Sequence, residues 1–426
     1  MGSERTYLKR ADAPGHDTDT AVRDAVASII ESVRDGGDDA VRSYTKRFDG
    51  VDRDDLAVTQ DEIDEAAAQL TDDERAAIDR TIANVRRYHE EQREHLEGFE
   101  VEVEPGITLG QRVLPIASAG VYIPGGRHPL VASPAMAIVP AVVAGVERIV
   151  ACAPPQSDGI LHPSQLYAMV EAGADEIYCI GGAQAIAAMA YGTESVPASD
   201  IVTGPGNIYT TEAKRQVYGD VGIDFLAGPT EVLIIADETA DPSLVSTDLL
   251  AQAEHDPNAR AMLVSTSDTL ARDVIDEVAQ QLPMLDTEEV ARESWDENGE
   301  VVVVDSPETA AEVSDAYAME HVQVMTSEPR ALMEQLHNYG SLFLGPHAPV
   351  VFGDKVVGTN HILPTREVAR YQGGIWVGTY LKTVTHQELD AAGAATLAPW
   401  AARICSMEGT HAHRLSAEAR SDASDR

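Results

Sequence analysis

The sequence predicts an α/β protein built from two parallel-sheet domains with smaller helical appendages. Three observations lead there. Between residues 122 and 229, RIVACA follows an apolar helix, EIYCI follows LYAMVEAGA, and DIVTG follows AQAIAAMAYG. A second alternating series fills residues 230–345, with EVLIIAD, AMLVST, EVVVVD and SLFLG as strands and helices near 242–255, 268–281, 307–319 and 328–338. The 426-residue length also exceeds what one hydrophobic core usually organises. Strand–helix–strand units of this kind cross over right-handedly and give parallel sheets.

The remaining elements follow in chain order. Residues 1–18 read as a polar arm. From 19 to 98 the pattern is helical: AVRDAVASIIESVRDGG closes on a Gly-Gly stop, and DDERAAIDRTIANVRRYHEEQREHL spaces its apolar residues by three and four. EVEVEPGITLGQRVLPI, over 99–115, is strand-like, and the tail beyond about 376 reads as mostly helical.

Composition narrows the function classes. Acidic residues number 71 against 31 basic ones, a net charge of −40, and only five of the basic residues are lysines: Lys9, Lys46, Lys214, Lys355 and Lys382. Such a surface repels nucleic acid and anionic membranes. The acids are spread along the chain, which favours adaptation to a salt-rich medium over a concentrated partner-binding patch. The least polar stretch, Val131 to Val146, is short for a membrane span and contains Pro134 and Pro140. MGSERTYLKR lacks the apolar core of a signal peptide, so a cytoplasmic protein is expected. Cys152, Cys179 and Cys405 have no CxxC spacing, which argues against disulfides and a thiolate zinc site. Cys152 and Cys179 sit in apolar runs and read as core.

Three glycine-containing turns follow predicted strands: Tyr122-Ile123-Pro124-Gly125-Gly126-Arg127, Gly181-Gly182-Ala183-Gln184 and Gly204-Pro205-Gly206-Asn207. Ligands gather at the carboxyl ends of parallel strands, and glycine lets the backbone approach a pyrophosphate closely. Tyr122, Gln184 and Asn207 can then bond or cover ribose and base. None matches G-x-G-x-x-G, and each alone reads equally as a tight turn.

Four polar patches can supply metal ligands and proton carriers. Asp241 caps a predicted helix on which Gln252 and His255, three apart, share a face. Glu320-His321 is an adjacent carboxylate and imidazole before the strand HVQVMT. Asp354 lies in FGDKVVGTNH, a loop ending at His361. Glu408 and His413 lie in the EGTHAH tail. An N, O, N, O set of this kind suits zinc, with a Glu/His pair left for proton transfer. Taken singly, each patch also reads as ordinary solvated surface.

The blocks YIPGGR, GGAQAIAAMAYGTESVP, VTGPGN, AGPTEVLIIAD, DLLAQAEH, AMEHV, GTNHILPT and the EG-x-x-AH tail resemble, in order and over almost the whole chain, the histidinol dehydrogenase family. The resemblance implies two incomplete Rossmann-like domains and a zinc-dependent homodimer. Such a dimer takes a primary alcohol through the aldehyde to the carboxylate with two NAD+. It implies one Zn2+ per subunit on Gln252, His255, Asp354 and His413, the last reaching in from the partner by C-terminal exchange. Glu320 and His321 would transfer protons. Thr230, His361 and Glu408 would touch the substrate beside those ligands, and Tyr122, Gln184 and Asn207 would hold NAD+. On this pattern 19–121 with 230–375 form the metal and catalytic domain, 122–229 the NAD+ domain, and 376–426 a helical dimerisation segment.

Some positions depart from the usual pattern. Lys355 follows Gly353-Asp354 where an aromatic residue is common, Thr230 replaces serine, and HPLVASPAM and YQGGIWVGTYLKTVTHQ differ. These resemble the sulfopropanediol 3-dehydrogenase branch, which oxidises 2,3-dihydroxypropane-1-sulfonate to sulfolactate. A sulfonate is a permanent anion and wants a cation nearby. Lys355 fits that need if it faces the site rather than solvent. Oxidation of histidinol is the alternative. A non-redox zinc protein or metal hydrolase using Glu320-His321 is a reading from another class, and an aldehyde dehydrogenase with Cys152 or Cys179 as nucleophile is a further one.

Overall fold

A computed structural model describes residues 5–11, 20–125 and 129–421. Gly126, Arg127 and most of the expected N-terminal arm lie outside the described residues. The chain forms two compact units, residues 1–90 with 117–380 and residues 91–116 with 381–426. Among the described residues no helix is long and apolar enough to cross a membrane.

The first unit holds two α/β bodies. One is a six-stranded sheet in the order Arg5–Lys9, Glu300–Val304, Arg260–Ser265, Glu231–Ala236, His321–Met325, Ser341–Leu344. Only the first strand runs antiparallel to its neighbour. Its strands are the four predicted runs of the second series, HVQVM, and Arg5–Lys9, which the sequence reads as part of an arm. The four central strands are buried along nearly their whole length, as a sheet covered on both faces requires. The helix expected near 328–338 shrinks to Pro329–Met333.

The other body is a five-stranded parallel sheet in the order Glu176–Cys179, Arg148–Ala153, Ser118–Tyr122, Ile201–Thr203, Gly222–Ile223. The chain reverses direction across this sheet between Ser118–Tyr122 and Ile201–Thr203, which places Tyr122 and Gly204 at the switch point. Helix α1 (Thr20–Phe48), expected with the six-stranded body, packs here instead. Its Val22, Val26, Ile29, Ile30 and Val33 recur at helical spacing and share a core with Ile186, Met189, Val202 and Val217.

The second unit is an antiparallel sheet of Phe99–Glu104, Ile107–Pro115 and Leu381–Leu389, followed by helices Ala391–Glu408 and His411–Glu418. The strand-like stretch 99–115 thus pairs with a strand from the tail that sequence alone read as mostly helical. Asp390 caps the longer helix through the Gly393 N–H at 2.7 Å, and Gly409, with φ of 74°, ends it.

A buried ion pair holds the Gly204–Asn207 turn. Lys214, 1 % exposed, places its ammonium 2.5 Å from Asp224 Oδ1 and donates also to the carbonyls of Gly204 and Phe225, both at 2.8 Å. Asp224 Oδ2 accepts the Gly204 N–H at 2.8 Å. All three ammonium protons are placed. Lys214→Met strands Asp224 without its counter-ion, so we expect urea denaturation to show a loss of ~3–5 kcal/mol; a loss under ~1 kcal/mol would mean the pair is not the clamp.

Candidate functional site

The residues expected to be catalytic collect at the amino ends of two neighbouring strands. Thr230 precedes Glu231–Ala236, Glu320 precedes His321–Met325, and the two strands pair with His321 beside Val232. The Glu231 backbone fixes both members of the dyad: its N–H donates to Glu320 Oε1 at 2.9 Å, and its carbonyl accepts from His321 Nδ1 at 3.0 Å. That bond puts the ring proton on Nδ1 and leaves Nε2, 3.5 Å from Asp354 Oδ1, with no hydrogen-bond partner. Thr230 donates its hydroxyl proton to Glu320 Oε1 and accepts from Gln252 Nε2 at 2.5 Å.

A cavity of about 460 Å³ opens above this cluster. Thr230, His255, Glu320, His321, Asp354, Lys355 and His361 line it, with Ile78, Ile82, Leu130, Ile362 and Leu363 as apolar walls. Gln252 and His255 arrive on the far end of helix Pro242–Ala253, which returns from the opposite edge of the sheet. Helix α3 (Asp72–Glu94; the helix Gln60–Gln69 is α2) holds the segment after Asp354: Thr81 donates to the Lys355 carbonyl at 2.9 Å and Asn84 to the Val356 carbonyl at 2.7 Å. His361 sits between the Asp354 carbonyl, 2.7 Å from Nδ1, and Ser133 Oγ, 3.2 Å from Nε2.

Electrostatics sorts these groups. Burial holds His255 and His361 below the ordinary imidazole range, so both are neutral. Burial also disfavours charge on His321, but Glu320 and Asp354 outweigh it and raise its pKa well above the ordinary value. Asp354 feels burial too, yet His321, His361 and Lys355 keep it ionised far below the usual carboxylate range. Glu231 is pushed up to about 8 by burial and by Glu320, against the partial relief of Arg260 at 4.0 Å.

The donor set of the first unit fits zinc. His255 is neutral and Asp354 ionised, as ligation requires, and Gln252 has its NH₂ group engaged by Thr230, which leaves its amide oxygen as the donor. Among the described residues no three His, Cys, Asp or Glu side chains form a metal group by themselves; the amide is a necessary member. Glu408 and His413 belong to the second unit, where both are exposed.

The expected coenzyme residues lie at the carboxyl edge of the five-stranded sheet. Tyr122 is buried, its hydroxyl accepting the Gly182 N–H at 3.2 Å. Gln184 is 1 % exposed, and neither its amide oxygen nor its nitrogen has a partner. Asn207 is exposed and caps the helix Ile208–Val217 through the N–H groups of Tyr209 and Thr210. A side-chain carbon on Gly204 would collide with the Tyr122 carbonyl, so the turn requires glycine. Pro205 of the same turn lines the catalytic cavity. The orphaned amide and the glycine-lined edge fit a dinucleotide.

The sequence matches the family described as "Histidinol dehydrogenase" over residues 13–421. The chain belongs to the histidinol dehydrogenase family. It is 44 % identical to a "Histidinol dehydrogenase homolog" of Shouchella clausii over 97 % of this chain and 98 % of that one. It is 45 % identical to a "Histidinol dehydrogenase" of Methanothermobacter thermautotrophicus over 91 % of each. The crystal structure of histidinol dehydrogenase from Elizabethkingia anophelis superposes with a TM-score of 0.91 at 33 % identity, covering 97 % of this chain and 94 % of that one. The protein is therefore an NAD-dependent oxidoreductase acting on a CH–OH group, which sets aside the non-redox and hydrolase readings. Cys152 and Cys179 are buried, and burial pushes their thiols up, Cys179 to about 12, so neither is poised as a nucleophile.

Ser133, Thr81, Asn84 and Glu231 escaped the sequence reading. Only Glu231 had a legible signal, a carboxylate opening an otherwise apolar strand. Thr230 bridges Gln252 and Glu320 as well as lining the cavity. Thr230→Val removes both bonds, and kcat should fall on the order of 10²-fold through misplacement of Glu320, whereas Thr230→Ser should restore most of it. Equal steady-state kcat values for Val and wild type would remove the bridge from the reaction.

Proposed function

We propose that this enzyme oxidises a small primary alcohol bearing an anionic group, 2,3-dihydroxypropane-1-sulfonate, through the bound aldehyde to sulfolactate. It uses two NAD+ and one zinc per subunit. The supporting observation is Lys355. It directly follows Asp354, lines the cavity although the residue as a whole is exposed, and makes no ion pair with a carboxylate among the described residues. In a chain with five lysines, a cation at this position suits a sulfonate.

The reaction balances as alcohol, water and two NAD+ giving carboxylate, two NADH and three protons. Glu320 and Asp354 favour the charged imidazole of His321; with the charge of Asp354 taken up by zinc, His321 Nε2 would be free to take the hydroxyl proton while the carbinol hydride leaves for the coenzyme. Glu320 draws a proton from the water that adds to the aldehyde, and the resulting hydrate gives up the second hydride. The apolar walls keep bulk water from the aldehyde between the two transfers. Bound zinc, on Gln252, His255, Asp354 and His413 of the partner subunit, would orient the substrate hydroxyl and neutralise charge beside His321.

The second reading is oxidation of histidinol. Relatives that carry that name favour it, and Glu320 and Asp354 suit a cationic substrate. Zinc-loaded enzyme with NAD+ should form NADH from the sulfonate diol. Lys355→Met should raise KM for it roughly tenfold, as loss of one charged hydrogen bond does, without raising KM for histidinol. Turnover of histidinol beside none of the sulfonate would sink the proposal.

The dimer rests on the second unit. Trp400, Ile404 and Met407 are 66, 55 and 82 % exposed on helix Ala391–Glu408, four and three residues apart and so on one face. A partner copy covers this stripe and brings Glu408 and His413. The dispersed acidic charge supports a salt-rich cytoplasm as the enzyme's setting. Light scattering in high KCl should give twice the 45.6 kDa chain mass, Trp400→Glu should yield monomer, and withdrawing salt should weaken both dimer and fold. A wild-type monomer in high KCl would count against the exchange.

A further inference from the structure

Asp49 closes helix α1. Its N–H bonds the Thr45 carbonyl at 2.9 Å, and Gly50 turns the chain away with a φ of 72°. The carboxyl group lies at the carboxyl ends of the strands Arg148–Ala153 and Glu176–Cys179. A side-chain carbon on Gly181 would stand 2.6 Å from Pro154 Cβ and 3.4 Å from Asp49 Oδ1.

This carboxyl group is under-satisfied. Asp49 Oδ2 is covered and has no hydrogen-bond partner, and burial pushes the acid up to about 6. At neutral pH it is an anion short of donors. One residue along the same turn, a side-chain carbon on Gly182 would stand 2.8 Å from Gln184 Oε1, and that buried amide has both ends unpartnered. The Gly182 N–H is already taken by Tyr122. Two polar side chains with unused capacity therefore face one glycine turn, and the helix Gly182–Tyr191 begins there.

A phosphate would ordinarily favour a helix start. Beside Asp49 it would meet a carboxylate, so the group accommodated here is a hydrogen-bond donor. In a dinucleotide the uncharged donors that match a carboxylate in pairs are the vicinal hydroxyls of a ribose. Asp49, Gly181 and Gln184 take no part in lining the cavity, which among the described residues reaches the coenzyme body through Pro129–Ser133, Ala135, Pro205, Ala227 and Gly228. The ribose at this turn is therefore the one remote from the chemistry.

We propose that Asp49 accepts the hydroxyls of the adenosine ribose of NAD+ and thereby excludes NADP+, whose 2′-phosphate would face its charge. The assignment rests on the NAD+ reading of the Tyr122–Gln184 edge. Isothermal titration of the zinc-loaded, substrate-free enzyme with NAD+ and with NADP+ tests it. Wild type should prefer NAD+. Asp49→Ala should weaken NAD+ binding roughly tenfold, as loss of a charged hydrogen bond does, while NADP+ binding holds or tightens. Asp49→Asn keeps the shape and removes the charge, so its main effect should be a narrower NAD+/NADP+ ratio. Circular dichroism and melting temperature show that each variant is folded, and if the alanine variant is not, the asparagine variant carries the test. A folded Asp49→Asn with the wild-type ratio overturns the role of Asp49 alone. Wild type that binds neither coenzyme overturns the coenzyme edge and this assignment with it.

Discussion

The rest of the site depends on one short piece of backbone, the peptide groups on either side of Glu231. One N–H and one carbonyl, belonging to the same residue, hold the Glu320 carboxylate and the His321 imidazole in a fixed relation. Both bonds exist because two parallel strands start side by side, so sheet register sets catalytic geometry. Regular backbone in a buried sheet is among the least mobile parts of a protein, which suits two groups that must keep one relation. The Glu231 side chain is buried 4.0 Å from Arg260, and Arg260 also reaches Glu300 at 3.1 Å.

Much of the secondary structure was legible because its signals are local. EVLIIA, RAMLVS and EVVVV are apolar runs of strand length, and Asp241 before Pro242 announces a helix start. What could not be read was adjacency. Nothing in Arg5–Lys9 says that it will form a sheet edge against Glu300–Val304, or in Leu381–Leu389 that it will pair with Ile107–Pro115. Helix α1 displays its apolar face plainly, but not which body that face will cover. Those choices rest on complementary surfaces hundreds of residues apart, and such contacts leave no local pattern.

The same holds for the site. Residue types and spacing picked out Glu320, His321, Asp354 and His361, and the structure brings all four to one cavity with Thr230 and His255. The expected coenzyme residues lie at the carboxyl ends of the five-stranded sheet, whereas Glu320 and His321 lie at amino ends of the six-stranded one. Strand order and direction decide this, and sequence supplies neither. Asp49 was illegible for a related reason: in KRFDG it reads as a helix end, and only the fold of a distant glycine turn over it gives the carboxylate a neighbour.

Opposite use of the two sheets has a physical logic. Glycine turns at carboxyl ends suit the close approach of a dinucleotide, and helix starts favour phosphates, which is a binding task. Proton transfer needs the reverse, a crowded place where carboxylates and imidazoles raise and lower one another's pKa and where a helix delivers His255 and Gln252 by its far end. Turning one body so that its amino edge meets the other's carboxyl edge satisfies both needs in one cavity. The Gly204–Asn207 turn is the hinge of that arrangement, since Pro205 lines the cavity while Gly204 closes on Tyr122. A buried lysine is a costly device, and here Lys214 and Asp224 fix a turn that touches both Tyr122 and the cavity.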